Sequence, residues 1–227
     1  MNVYKRLEGG PRLILLGAPG AGKGTQAKML SDRLGVPHVA SGDLFRYHQS
    51  QGTSLGNRAK EYMAKGLLVP DEITIEMVLD RILMPEFGGF LLDGFPRTVP
   101  QATALDEALN DYNQSIDHVV LIKVPVKELT SRLGGRFVCS GCQSLYHITT
   151  VPPNIYGICD QCGGKLYQRR DDTEEAVKVR LNVYRDETEP LVDMFQVQGK
   201  LTEIDGLGAI NDIGERLMNV LERYLTV

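Results

Sequence analysis

Residues 17 to 25 read Gly-Ala-Pro-Gly-Ala-Gly-Lys-Gly-Thr and follow directly on the apolar run Leu13-Ile14-Leu15-Leu16. A glycine-rich turn between a buried strand and a helix lets successive backbone N–H groups face one anion, and the helix adds its positive N-terminal end. Lys23 contributes a full charge on a reachable stem. From Gly17 to Lys23 the segment fits the phosphate-loop template G-x-x-x-x-G-K-[S/T]. One position departs: Gly24 stands where Ser or Thr follows the lysine, and the hydroxyl comes one step later, at Thr25. The chemistry on offer is the cradling of a polyphosphate. The competing reading is an ordinary strand-to-helix turn, and strand, spacing and lysine all count against it.

A second set of polar residues falls at other strand exits. Asp93 ends the apolar run Phe90-Leu91-Leu92. A carboxylate at the end of a parallel strand downstream of a phosphate loop is placed to organise magnesium, directly or through its waters; the alternative is a solvent-facing Asp before the turn at Gly94. Gly94-Phe95-Pro96-Arg97-Thr98 and Ser41-Gly42-Asp43-Leu44-Phe45-Arg46 each bring an arginine to a strand exit. Two guanidinium forks beside a phosphate loop point to a second anionic ligand.

All the cysteines fall in one stretch, as Cys139-x-x-Cys142 and Cys159-x-x-Cys162. Two such knuckles separated by roughly 15–20 residues are the spacing of a tetrahedral zinc site, and four thiolates leave no open position, which makes the site structural. Paired disulfides are the alternative, disfavoured without a secretion signal. His147 is a fifth candidate ligand, better read as a hydrogen-bonding or ligand-proximal residue. His38, His48 and His118 have no recognisable context.

Strands and helices alternate around these residues. Strands are expected at Arg12–Gly17, Pro37–Ala40, Gly89–Asp93, Val119–Val124 and Lys200–Asp205. Helices are expected at Gly22–Leu34 (ended by Gly35), from Ser41 as a cap, at Ser54–Lys65, Asp71–Met84 and Pro100–Asn110, from Pro125, at Thr173–Glu187 and at Asn211–Leu225. Nearly continuous apolar strands, each followed by a helix, predict a doubly wound, five-stranded parallel sheet covered on both faces. Two stretches interrupt the rhythm, Ser41–Val69 and Gly134–Asp172, and both read as insertions.

Composition sets the outer limits. The 227 residues are 42% hydrophobic and 24% charged, enough for one well-packed domain with insertions. A net charge of −4 and no long basic stretch argue against a nucleic-acid surface. No apolar run approaches the roughly 18–20 residues of a membrane span, and Met1 to Pro11 carries no signal-peptide core, so a cytoplasmic enzyme with no membrane partner is expected.

These segments resemble the adenylate kinases of the long bacterial type. The likeness rests on Gly17–Gln26, Ser41–Arg46, Leu91–Thr98 with Gln101, Arg132–Arg136, Arg169–Asp172 and Arg180. It implies a P-loop nucleoside monophosphate kinase fold with a core of residues 1–40, 70–134 and 173–227. An AMP-binding insertion at 41–69 and a zinc-binding lid at 135–172 would be mobile flaps. It further implies phosphoryl transfer from MgATP to AMP, giving two ADP, by a monomer. ATP would meet Gly20, Ala21, Gly22, Lys23, Gly24, Thr25, Arg136 and Tyr146, with Arg132 and Gly208 towards its base. AMP would meet Ser41, Arg46, Leu67, Leu68, Val69, Gly94, Arg97, Arg169, Arg180 and Gln101, the last reading the adenine edge. Arg136, Arg169 and Arg180 would close on the transferred group, and Asp93, with Asp43, would organise hydrated Mg²⁺. Three departures stand out. Thr150 replaces an aromatic near the donor base, Leu207-Gly208-Ala209 replaces a Lys-Pro type loop, and Met1–Gly10 extends before the usual start.

Two other readings remain at this point. One is a kinase for UMP, CMP or GMP. The other is a nucleotide switch or zinc-ribbon binding module. The chain lacks the guanine-reading Asn-Lys-x-Asp of a switch, and the lid's cations, Arg136, Lys165, Arg169 and Arg170, gather towards its base rather than over a surface.

Overall fold

A computed structural model describes residues 10–84 and 88–225; the amino-terminal extension, up to residue 9, lies outside them. Five parallel strands, β1 (Arg12–Leu16), β2 (His38–Ala40), β3 (Phe90–Asp93), β4 (His118–Lys123) and β8 (Leu201–Asp205), form one sheet in the order β2-β3-β1-β4-β8. Alternation along the strands feeds two cores. Ile14, Leu16, Leu92, Val119 and Leu121 enter one apolar cluster, while Leu13, Leu15, Leu91, Val120 and Ile122 enter the other. The first is covered by α4 (Asp71–Ile82), α5 (Val99–Asn110) and α8 (Pro190–Val197); the second by α1 (Lys23–Leu34), α6 (Val126–Gly134) and α9 (Ile210–Leu225). A strand buried on both faces cannot show the polar alternation of a half-exposed one, which is why β1, β3 and β4 are nearly continuous apolar runs.

Between β2 and β3 the chain forms α2 (Ser41–Ser50), α3 (Ser54–Ala64) and α4. Ser41 does not cap α2 as expected. Ala40 is the capping position, and the Ser41 hydroxyl instead donates to the Gly94 carbonyl at 2.6 Å. Between α6 and α7 (Glu174–Val183) lies a small antiparallel sheet of β5 (Arg136–Cys139), β6 (Leu145–His147) and β7 (Leu166–Tyr167), in the order β6-β5-β7. The charged helix expected at Thr173–Glu187 is α7 followed by a wide π turn, Tyr184–Thr188, that leads into α8. Among the described residues no helix is long and apolar enough to cross a membrane.

His118 sits far from the glycine loop. It is buried at the start of β4, with its ring stacked on Tyr224 (centroids 3.8 Å apart) and Nε2 3.0 Å from Thr202 Oγ1. Burial lowers its pKa to about 4. The unfolded chain, with an ordinary histidine near 6.5, therefore binds the extra proton first. Folding stability is expected to fall as pH drops from about 6.5 towards about 4. Urea unfolding at pH 7 and pH 5 measures the loss, and His118→Gln should flatten it; equal pH dependence in both proteins would contradict this origin.

Candidate active site

The glycine loop occupies the turn between β1 and α1. Gly22, left-handed at φ +96°, precedes α1, and no side chain caps that helix. Its first amides are therefore free for an anion. The Lys23 ammonium donates to the Gly17 and Ala18 carbonyls at 2.6 and 3.2 Å, curling over the loop it belongs to. Its pKa is lowered to about 8: burial is the leading cause, Asp93 works against it, and Arg97, Arg180 and Arg136 add to it. Gly24 explains the departure from the template: a Cβ there would lie 3.3 Å from Asp93 Oδ2. Glycine leaves room beside that carboxylate, which a hydrated cation needs. The Asp93 carboxyl has a lowered pKa. Burial works against ionisation, but the adjacent His38 ring and the charges of Lys23 and Arg97 outweigh it. The His38 contact is long, Nε2 standing 3.5 Å from Asp93 Oδ2.

The second anion site is assembled across β2, β3 and α5. Gly94 holds φ +72°, and a Cβ on it would press 2.7 Å from an Arg97 terminal nitrogen. Its carbonyl receives both the Ser41 hydroxyl and Arg97 Nε, the latter at 2.7 Å. Arg97 thus spends Nε on the backbone and keeps its terminal nitrogens for a ligand. Gln101 accepts from Arg97 N at 2.8 Å and donates to Asp71 at 2.7 Å, while Thr98 caps α5 and donates to the same carboxylate at 2.9 Å. Asp71, absent from the expected site, is what fixes Gln101. Arg46 lies on α2 and pairs with Asp43. The Asp43 carboxylate is exposed on the same helix.

Three further arginines come from the base of the small sheet and the helix after it. The buried Asp172 carboxylate receives Arg136 through two nitrogens, one at 2.7 Å, and Arg180 at 2.8 Å; Arg180 also reaches Asp171 at 3.0 Å. Arg169 is on the preceding loop, and its Nε is buried without a hydrogen-bond partner. Burial is the leading cause that lowers the pKa of Arg97 and Arg169, each to about 10, and repulsion by neighbouring arginines adds to it. Arg180 is lowered for the same leading reason. Crowded, poorly hydrated cations of this kind gain most from an anion placed among them.

One cleft joins these parts, lined by Gly17, Lys23, Leu68, Gly94, Arg97 and Arg180. A wider, open groove between α3 and the start of α4 holds Asn57, Arg58, Glu61 and Pro70. At the other end of the loop, Arg132 binds Glu128 at 2.9 Å and the Gly206 carbonyl at 3.0 Å, beside the exposed Gly208. Arg216, which no sequence pattern singled out, donates to the Asp205 and Leu207 carbonyls at 2.8 and 2.6 Å and holds that turn in shape.

Tyr146, expected at the donor, belongs to the small sheet. It is buried in the apolar cluster of the small sheet with Cys139, Cys159 and Leu166. The four cysteine sulfurs lie within 4.8 Å of one another. Cys139 and Cys162 are 3.4 Å apart, Cys142 and Cys159 3.5 Å, far beyond the roughly 2.05 Å of a disulfide. The set is compatible with zinc. His147 stays outside it; its Nδ1 accepts from the Thr149 and Thr150 amides, both at 3.2 Å.

The adenylate kinase family model matches residues 15–200. A protein of Caldicellulosiruptor bescii named adenylate kinase is 51% identical over 211 residues, covering 92% of this chain and 98% of its own. Its namesake in Acetivibrio thermocellus is 50% identical, covering 92% and 97%. That of Streptomyces griseus is 50% identical over 213 residues, covering 93% and 97%.

Proposed function

The chain belongs to the adenylate kinase family, and from that membership and the site we infer that it catalyses reversible phosphoryl transfer from MgATP to AMP, giving two ADP. The observation that carries the reading is the single cleft in which Lys23, Arg97 and Arg180 converge between the uncapped glycine-loop helix and the Ser41–Gly94–Gln101 cluster.

The positions of the groups support these roles. Backbone amides from Gly20 to Thr25 and the Lys23 ammonium hold the donor polyphosphate, and Arg132 with the turn at Gly208 faces the donor base. Arg97 and Arg46 fork onto the phosphate of AMP, and Ser41, Gly94 and the backbone of Leu67, Leu68 and Val69 shape the acceptor pocket. Gln101 reads adenine with the hydrogen-bonding capacity that Arg97 and Asp71 leave over. Arg136, Arg169 and Arg180 meet the charge spread over the transferred group. Two polyphosphates repel each other, so most of the catalysis lies in cancelling that repulsion and aligning the reacting oxygens. No covalent intermediate is required. Asp93, with the space left by Gly24, would hold Mg²⁺ through its waters, and the bound ion would supply charge neutralisation at the phosphates. Residues 41–69 and 135–172 act as flaps that exclude water, which would otherwise take the phosphoryl group. The four thiolates would hold a structural Zn²⁺ that gives the small sheet the stability its few apolar residues cannot.

Purified protein given ATP, Mg²⁺ and AMP should form ADP in a coupled assay, with UMP, CMP and GMP as poorer acceptors. Absence of turnover above background overturns the reading. Arg97→Lys should raise the KM for AMP by about 10- to 100-fold and depress turnover, because one point charge replaces a fork worth about 1.5–3 kcal/mol per charged hydrogen bond. Steady-state kinetics with varied AMP measure this; parameters equal to wild type would remove Arg97 from the site.

A further inference from the structure

We propose that Tyr146 is a positioning residue of the cysteine cluster, its phenol donating a hydrogen bond to the Cys159 thiolate and thereby tightening the zinc site. The inference rests on the four-thiolate zinc reading above and adds a residue to it.

Hydrogen-bond direction carries the argument. The Asp160 backbone N–H can only donate, and it lies 2.8 Å from the Tyr146 hydroxyl oxygen, which therefore accepts. The phenol keeps its own proton, and Cys159 Sγ stands 3.4 Å away to receive it. A sulfur that receives from a phenol is best matched by a metal-bound thiolate, which has no proton to give. The arrangement is fixed from behind as well. Asp160 anchors its own loop by accepting the Asn154 amide at 3.0 Å, and Tyr146 is buried on β6 between the two knuckles. Relays of this kind cross from the first knuckle's hairpin to the second knuckle. The other described side-chain contact of this type, Ser144 Oγ to Cys142 Sγ at 3.1 Å, stays within one knuckle. Tyr146 thus links the halves of the site that the metal must draw together, and second-sphere donors of this type are worth about 10- to 100-fold in metal affinity.

The test uses the full-length protein and its Tyr146→Phe variant, which keeps the ring and removes only the hydroxyl. Zinc retention is measured by competition with a chromophoric chelator, and metal content by elemental analysis. Each protein is also loaded with Co²⁺ so that the thiolate-to-cobalt charge-transfer band can be recorded. Tyr146→Phe should release zinc to about 10-fold less chelator or lower. Its cobalt band should move to longer wavelength, since a thiolate that loses a hydrogen bond becomes a better electron donor. Packing alone would not move that band. Equal zinc retention and an unmoved band overturn the proposal while leaving the zinc reading intact. A rise in the KM for ATP with zinc retention unchanged also overturns it and returns Tyr146 to the donor pocket. Wild-type protein that carries no zinc and takes up none overturns the zinc reading itself, and this inference with it.

Discussion

Lys23→Met is expected to lower turnover by about a thousand-fold, or ~4 kcal/mol of transition-state stabilisation, which is the scale for one preorganised charged donor in a phosphoryl-transfer site. The fold should hardly register the change. The ammonium is desolvated and surrounded by Arg97, Arg136 and Arg180, so that its pKa has dropped to about 8. Removing it relieves that repulsion, while the Gly17 and Ala18 carbonyls lose a donor. These effects oppose each other, and the net change in folding stability should stay within about 1 kcal/mol. Rapid-quench turnover and urea unfolding on the same preparation separate the two quantities. Turnover within ten-fold of wild type would contradict the placement of the donor phosphates in the glycine loop.

The second large effect belongs to Asp172, a residue that makes no proposed contact with either nucleotide. Its carboxylate is buried and holds Arg136 from β5 and Arg180 from α7. Removing one partner of a buried ionic cluster leaves the other charges uncompensated, at about 3–5 kcal/mol. Asp172→Ala should therefore melt well below wild type. Asp172→Asn, which keeps the shape, should fold but turn over at least about ten-fold more slowly, because two of the arginines aimed at the transferred group lose their anchor. Thermal melting and saturating-substrate turnover read the two consequences. Wild-type values for Asp172→Asn would show that the arginines are positioned by something else.

What could be read in the sequence and what could not divides along physical lines. β1 and the glycine loop announce themselves because a strand buried on both faces is a continuous apolar run and because the turn requires glycine. The exits at Ser41 and Gly94 were legible for the same reason. Gly35 ends α1 in the left-handed region, as glycine after a helix should. α8 was not legible: an eight-residue helix behind a π turn has too few turns to show periodicity, and Pro190 reads as a break when it is a tolerated first residue. The three strands of the small sheet were missed because they run for two to four residues and are closed by sulfur rather than by alternating apolar side chains. Among site residues, Asp71, Asp172 and Arg216 escaped because each acts on another protein group. A carboxylate that orients an arginine looks like any surface acid until its burial is known. The contact of Tyr146 with Cys159 was not legible either, because only the fold brings its hydroxyl to that sulfur.

The order of the main sheet leaves β2 and β8 as its borders. One is three residues long. The other is only half covered and carries Glu203, paired across to Lys123 at 2.8 Å, in its middle. Short borders and charged centres make poor templates for an incoming strand. The protein can therefore keep an all-parallel sheet in concentrated solution without capping either margin, because resistance to edge-to-edge aggregation is built into the brevity of one outermost strand and the charge on the other.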